Sequence, residues 1–288
     1  MGKQSDVVKT ESNTSRKIGY ALLYLILGII AVFQVYPLIW LVKFSLKSNR
    51  EVFSESPFAL PTEPRWENYT TAWTQGNIGL YFFNSVWITV VAVVLTVLFA
   101  SLVTFAITRM NWKFNKLTLG LFMIGLMIPI HSTLIPLFSF FLSINLIDNP
   151  IAIILTYTAF NLPLTIMILL GFYYTLPREI EEAAVIDGCS INRIFFQITL
   201  PMTMPVISTT AIINMIYNWN EFVFINTFIR SDHYRTLTVG IQSFIGQYAT
   251  DWGAIGATLV ISILPILIAF FFLSNKIVEG IAAGAVKG

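Results

Sequence analysis

The sequence predicts an all-α membrane protein of six spanning helices with both termini on one side of the bilayer. Three features of composition and charge carry that expectation. Of the 288 residues, 56% are hydrophobic and only 11% charged, against roughly 45–50% and about 25% in an average soluble domain. Six stretches of at least 24 residues hold no charged side chain, namely 18–42, 68–108, 117–147, 149–177, 194–220 and 252–275, and no other charge-free stretch exceeds 15 residues. A helix rises about 1.5 Å per residue, so roughly 20 apolar residues cross about 30 Å of hydrocarbon and each stretch can hold one span. If the shared side of the termini is cytoplasmic, inner segments carry eleven Lys and Arg and outer segments six, the bias that cytoplasmic loops show.

The elements follow in order. Residues 1–17 read as a cytoplasmic N-terminal segment in which Lys3, Lys9, Arg16 and Lys17 precede the first span. The apolar run behind them is too long for a signal peptide and has no small-residue cleavage site, which predicts a retained helix. The outer loop 43–79 is the longest extramembrane segment, and Pro57, Pro61 and Pro64 predict turns and short extended pieces there rather than a helix. Span two brings Asn84 and Trp87 near the outer face, with no basis for a role. The loop Arg109 to Lys116 holds three basic residues and no acid, the strongest single vote for the cytoplasmic side.

Span three carries Pro129, His131, Ser132, Thr133 and Pro136, a broken polar patch of the kind tolerated at membrane depth where protein buries it or a cavity borders it. For His131 a satisfied interhelical contact and a solute contact are both open. Span four places Tyr157 and Asn161 one turn apart, with Pro163 able to kink the helix just beyond. In span five Thr210, Asn214, Asn218 and Glu221 fall at i, i+4, i+8 and i+11, one face of a helix, with Asn214 near mid-membrane and Glu221 about two turns further out. Such a stripe either bonds neighbouring helices, at about 0.6 kcal/mol per contact, or lines a solute pathway. Tyr217 and Trp219 beside it suit sugars, whose hydroxyls need hydrogen-bond partners and whose C–H faces are apolar. The pathway reading takes Tyr157, Asn161, Asn214, Tyr217, Asn218, Trp219 and Glu221. Tyr36, Trp40, Trp112, Tyr173, Tyr174 and Trp252 lie near span ends, where aromatic rings form interfacial belts. Residues 18–275 thus form one six-helix domain, and 276–288 a cytoplasmic tail.

Composition also excludes function classes. A single cysteine, Cys189, forms no intramolecular disulfide, and the two distant histidines, His131 and His233, do not make a metal cluster. A net charge of +2 gives no concentrated basic face for nucleic acid. No nucleophile and base recur at helical spacing, so no catalytic residue is expected. The chain also lacks the Gly-x-x-x-x-Gly-Lys-Ser/Thr loop that cradles nucleotide phosphates.

The loop 173–200 is the most informative stretch. Pro177 suits a first helical position, Glu179, Glu181 and Glu182 put negative charge at a helix N-terminus, and Gly188 can end that helix in the left-handed conformation. Ser190 then caps a second helix, Ile191 to Gln197, and Pro201 opens the next span. Ala183, Ala184 and Gly188 give the first helix a patch almost without side-chain bulk, read either as a docking surface or as part of a plain membrane-surface connector.

The full spacing, Glu182-Ala183-Ala184, three residues, Gly188, nine residues, Ile198, one residue, Leu200-Pro201, resembles the EAA motif of binding-protein-dependent ABC importer permeases. The chain end Gly280-Ile-Ala-Ala-Gly284-Ala-Val-Lys287-Gly288 and the segment Trp219-Asn220-Glu221-Phe222 resemble the tail and the Trp-Asn-acid-Phe signature of MalG-like carbohydrate permeases. The resemblance implies a type I ABC importer permease (MetI-like) fold, with Glu182, Ala183, Ala184, Asp187 and Gly188 coupling to an ATPase and Gly284, Lys287 and Gly288 contacting it. It implies a heterodimer with a second homologous permease, two ABC ATPase subunits that hold ATP and Mg, and an extracytoplasmic sugar-binding protein. No cofactor is then bound by this chain, which sits as a multi-pass protein in lipid of a bacterial plasma membrane. The expected cargo is a di- or oligosaccharide. An ABC permease for a non-sugar solute such as glycerol phosphate, an ion-coupled carrier and a membrane-embedded enzyme are the rivals.

Overall fold

The computed structural model describes the backbone of residues 3–246 and 250–285 and the side chains of 16–246 and 250–272. Among the described residues there are helices and connecting turns but no strand. Four helices are each long and apolar enough to cross a bilayer: α1 (Lys3–Ser45, from Arg16 on), α4 (Ile78–Arg109), α7 (Pro150–Tyr173) and α14 (Trp252–Ala285). Two further candidates are broken pairs rather than straight spans. In one, α5 (Asn115–Met127) meets a 3-10 turn (Ile130–Thr133) and α6 (Leu134–Ser143) at a bend of 95°. In the other, the segment Ile191–Met202 meets α11 (Met204–Asn220) at 75°.

The outer loop differs from expectation, because it contains two helices, α2 (Asn49–Ser54) and α3 (Glu67–Thr74). The reason for α2 is a capping box. The Ser48 hydroxyl accepts the Glu51 amide, and the Glu51 carboxylate accepts the Ser48 amide at 2.7 Å. The Ser48 amide, the Ser48 hydroxyl and the Thr62 amide together hold the Glu51 carboxyl at about 2. The three prolines lie between the two helices. Asn68, on α3, donates to the Ser45 carbonyl that ends α1 at 2.8 Å, a group a helix end otherwise leaves unpaired, and to the Lys47 carbonyl just beyond it at 3.0 Å.

The centre of the bundle is α4 against α7, its most extensive helix pair. The buried face of α4 carries Ser85, Thr89, Ala92, Thr96, Ala100, Thr104 and Thr108, small residues at three- and four-residue steps. Such residues let helix backbones approach where no water drives association. Thr96 and Thr108 return their hydroxyls to carbonyls one turn back, so they cost no unpaired donor. Tyr173 belongs to this interior and not to an aromatic belt, being fully buried among Leu169, Leu170 and Ile166.

By contrast α1 buries none of its most apolar stretch within the chain, and its C-terminal end packs on α14 and the outer loop. That crossing is close because Gly256 lacks a side chain: a Cβ there would lie 2.7 Å from the Phe44 ring and 2.9 Å from Ser45 Cα. Gly256→Val is therefore expected to prise α1 from α14 at a cost of about 1–3 kcal/mol. A drop in the melting temperature of the detergent-solubilised protein, together with weaker cysteine cross-linking between the two helices, would report it.

The sixth charge-free stretch does not end a helix at 275, since α14 continues to Ala285. Gly284 lies in that helix, while Lys287 and Gly288 lie outside the described residues.

Candidate functional site

Two breaks face α7 and shape a cavity. At the first, Pro129 adopts an extended conformation that separates α5 from the 3-10 turn holding His131. At the second, α11 stops at Asn220 and Glu221 is extended (φ −70°, ψ 132°). The Glu221 carboxylate then accepts the amides of Phe224 at 2.9 Å and Ile225 at 3.3 Å, opening α12 (Val223–Phe228). Thr238 fixes the same corner by donating to the Glu221 carbonyl at 2.8 Å.

Glu221 thus departs from the single helix face expected of it. It has left α11 and lies opposite Tyr157, about two turns into α7 from its start, where the tyrosine hydroxyl donates to the carboxylate at 3.0 Å. The physical reason is local: a carboxylate that can take two free helix-start amides stabilises a new helix better than the continuation of the old one.

From this corner a three-rung polar ladder descends between α7 and α11, Tyr157 to Glu221, Asn161 to Asn218 at 2.8 Å and Thr165 to Asn214 at 3.0 Å. The steps of four residues on α7 place one rung per turn. A cavity of about 700 Å³ opens beside the first two rungs and is lined by Tyr157, Asn161, Tyr217, Asn218 and Glu221, with His131 and Phe224 across from them. That volume lies within the range of about 300–1,000 Å³ usual for small-molecule sites. One wall is a ring stack in which Phe224 stands inclined by 26° to His131 at 6.0 Å and by 26° to Phe160 at 5.8 Å.

Two residues of the expected pathway are elsewhere. Asn214 is sealed between helices, with Thr165 as its only side-chain partner among the described residues, and does not border the cavity. Trp219 turns to the opposite side of α11, donating Nε1–H to the Ser262 carbonyl at 3.0 Å and meeting Phe82 edge-on. Helical phase explains Trp219, one residue and about 100° off the face that Asn218 presents, whereas Asn214 shares that face and is closed off by Thr165 of α7. Asn214→Leu is accordingly expected to lower stability by only about 1 kcal/mol and to leave solute selectivity intact, a pair of outcomes that a thermal melt and competition uptake would check. Asn84 is a clamp: its amide donates to the carbonyls of His233 at 2.8 Å and Arg235 at 2.9 Å. Nearby, burial raises Asp148, but the amides of Ser231 and Arg230 outweigh it and hold the carboxyl below its usual range.

At the other end of α4 and α7 lies the loop 173–200. Here α8 (Glu179–Ile186) begins two residues after Pro177, which is not its first helical residue. Gly188 ends it at φ +80°, with the Cys189 amide on the Ala184 carbonyl at 2.9 Å and the Gly188 amide on that of Val185 at 3.0 Å, the two bonds of a Schellman turn. Beyond Ser190, which flanks the second helix without a side-chain cap bond, the chain runs through α9 (Ile191–Ile194), a π turn (Phe195–Thr199) and α10 (Leu200–Met202). The break comes at Thr203, so Pro201 does not open the next span; Pro205 does, from the first turn of α11.

The small-residue patch is divided by this geometry. Ala184 is buried against Phe105, Ile194 and Phe195 inside the chain. Glu182, Ala183, Asp187 and Gly188 are exposed, beside Val185 and an Ile186 that is 85% exposed. Ile186 was not singled out by the sequence, because one apolar residue near a motif is unremarkable until its exposure is known. Equally hidden was the ion pair that seats α8 on the bundle. Arg109 Nε meets Glu181 at 2.6 Å with side chains only 7% and 13% exposed. Arg109 also donates to the Tyr173 carbonyl at 3.2 Å, and Thr199 donates to Glu181 at 3.1 Å. Arg178 ties the same loop to the Thr108 carbonyl at 3.1 Å.

Comparison with known proteins gives the same picture of the whole chain. Residues 92–281 match the family model described as binding-protein-dependent transport system inner membrane component. A Bacillus subtilis protein named probable ABC transporter permease protein YurM is 36% identical over 281 residues, 98% of this chain and 93% of the relative. A Streptomyces coelicolor protein named diacetylchitobiose uptake system permease protein NgcG is 34% identical over 259 residues, 89% and 85% of the two chains. Among solved structures, a bacterial ABC transporter involved in import of the acidic polysaccharide alginate has a chain that superposes with a TM-score of 0.79 at 20% identity, covering 91% of this chain and 97% of that one, a likeness of fold.

Proposed function

The chain belongs to the binding-protein-dependent transport system inner membrane component family, a multi-pass membrane permease of an ABC importer, and we propose that its cargo is a di- or oligosaccharide. The observation that carries this reading is the cavity between α7, α11 and the broken α5–α6 pair, where three asparagines and two tyrosines stand beside a stack of rings. Amides suit hydroxyls and aromatic faces suit the C–H faces of a pyranose. The relative named for diacetylchitobiose uptake supports the same substrate class.

In the proposed assembly the two bent pairs each count as one span, giving six, with both termini in the bacterial cytoplasm. The chain pairs with a second permease, and two ATPase subunits that hold ATP and Mg dock on α8 through Glu182, Ala183, Asp187, Gly188 and Ile186. Ala184 contributes by seating the helix from beneath. The tail residues Gly284, Lys287 and Gly288 extend that contact, and an external binding protein delivers the sugar. ATPase closure moves α8, and the Arg109–Glu181 pair passes that motion to α4 and α7. A phosphate ester such as glycerol phosphate fits less well, because among the described residues no Lys or Arg borders the cavity.

The experiment is gentle purification of the tagged chain from its native cells, mass spectrometry of bound partners, and ATP hydrolysis by the recovered complex with sugar-loaded binding protein. Stimulation by an oligosaccharide-loaded protein is expected. Recovery of the chain alone, with vanadate-insensitive uptake, would replace this reading by an ion-coupled carrier.

A further inference from the structure

We propose that the turn Pro57-Phe58-Ala59-Leu60 of the outer loop is a lipid-dipping anchor. Its partner is the headgroup and upper acyl region of the leaflet in which α1 ends, the outer leaflet in the proposed orientation. The turn folds back along the membrane helix instead of rising away from it. Trp40 Nε1–H donates to the Pro57 carbonyl at 3.0 Å, Lys43 Nζ donates to the Phe58 carbonyl at 2.9 Å, and the Phe58 and Tyr36 rings meet with centroids 6.0 Å apart. All three partners lie before Ser45, where α1 ends, and Tyr36 is two turns, about 10 Å, below Lys43. The Phe58 ring is therefore carried down beside α1, whose most apolar stretch is exposed throughout.

A turn that enters a bilayer must bring no unpaired backbone with it, because no water is there to bond a free N–H or C=O. This turn meets that demand. Pro57 has no N–H, and Trp40 takes its carbonyl. The Phe58 amide donates to Ser56 Oγ at 3.3 Å, Lys43 takes the Phe58 carbonyl, and the Ala59 amide donates to the Ser56 carbonyl at 2.9 Å. Pro61 again has no N–H to pair, and no side chain from Pro57 to Pro61 is polar. The nearby carboxylates are engaged elsewhere in the loop, Glu51 by the Ser48 and Thr62 amides and Glu55 by Lys47 and the Thr62 hydroxyl. A loop surrounded by water has no need to spend Trp40 and Lys43 on carbonyls that water would bond.

What the turn leaves outward is apolar, with Phe58 70% and Leu60 72% exposed. These side chains continue the exposed surface of α1. Tyr36 and Trp40 are the rings of an interfacial belt and Lys43 carries its charged head above them, the order that suits a helix end at a membrane surface. Trp66, also exposed, is held level with the helix end, where the Arg65 amide donates to the Leu46 carbonyl at 2.9 Å. A water-soluble protein approaching from outside meets the top of this loop, not a ring packed more than two turns below the end of α1. The same loop grips α14, since the Trp252 amide donates to Asn49 Oδ1 at 2.8 Å and Phe53 meets the Trp252 ring edge-on. The anchor thereby fixes the ends of α1 and α14 at one depth.

The test uses the assembled complex in nanodiscs of phosphatidylethanolamine and phosphatidylglycerol, with p-benzoylphenylalanine in place of Phe58 and, for comparison, in place of Glu63, an exposed residue of the same loop. Illumination and mass spectrometry are expected to show several-fold more phospholipid adduct at position 58 than at 63. A second, smaller probe guards against disturbance by the benzoyl group. In a Cys189→Ser background, Leu60→Cys and Glu63→Cys each carry a nitroxide, whose relaxation by oxygen, concentrated in lipid, is compared with relaxation by a water-soluble nickel chelate. The ratio of oxygen to chelate effect is expected to be several-fold higher at 60 than at 63. Adducts at 58 to a second permease or to the binding protein in place of lipid, or a nitroxide at 60 as open to the chelate as that at 63, would each overturn the anchor, whichever variants assemble. Neither result bears on which solute crosses.

Discussion

Glu181→Ala is expected to abolish coupled transport and to destabilise the loop end of the bundle by about 3–5 kcal/mol, the range for removing one partner of a buried ion pair. The magnitude follows from what is left behind. Arg109 is 7% exposed, and its Nε would face the space vacated by a carboxylate that lay 2.6 Å away. Its other contacts, to the carbonyls of Tyr173 and Leu176, do not neutralise the charge. Thr199 loses its acceptor too, so α8 is released both from α4 and from the segment that leads into α11. The double variant Arg109→Met/Glu181→Leu separates the two effects. It removes both charges and is expected to regain most of the melting temperature, yet not coupling, because a directional link has been exchanged for a slippery apolar contact. Thermal melts of the purified complex and ATP consumed per sugar imported provide the readings. A Glu181→Ala complex that melts and transports like wild type would show that α8 is held by packing alone.

Gly188 offers the second large effect. At φ +80° a β-branched residue is strongly disfavoured, so Gly188→Val is expected to unwind the Schellman turn, redirect α9 against α8 and leave ATP hydrolysis uncoupled from import. Strain alone does not distinguish a backbone role from a docking role. Gly188→Asn does, since asparagine tolerates the left-handed region and a Cβ at this position meets nothing within 4 Å in the chain itself. The asparagine variant is expected to keep the wild-type melting temperature and still to lose most coupled transport, because its side chain would project into the proposed ATPase-docking surface. Normal import by Gly188→Asn would confine the glycine's importance to its backbone and leave docking to Ala183 and Ile186.

The sequence reading was most secure where the signal is local. The left-handed glycine at 188 and the helix break at Pro129 need only neighbouring residues, and the structure has both. It was weakest where a side chain chooses among distant partners. The capping box Ser48-x-x-Glu51 is a local signal, outweighed in the sequence by the three prolines that follow it. The departure of Glu221 from α11 was not legible, since the amides it caps belong to a helix that exists only because the carboxylate is there. Likewise Asn214 and Asn218 share a stripe in sequence, but only the packing of α7 gives one a sealed threonine and the other an open cavity.

By itself the sequence determined that this chain belongs in a bilayer, that it is helical, and where its motif loop falls. Each of these follows from short-range quantities, namely the transfer of apolar runs out of water, the turn every 3.6 residues, and the few residues that tolerate a positive φ. Only the tertiary structure decided which polar groups are sealed between helices and which border a cavity, and which charge anchors α8. Hydrogen bonds and ion pairs saturate: a donor claimed by one partner is lost to another, and the claimants here lie 49 to 72 positions apart in the chain, brought together only when α4, α7 and α11 pack.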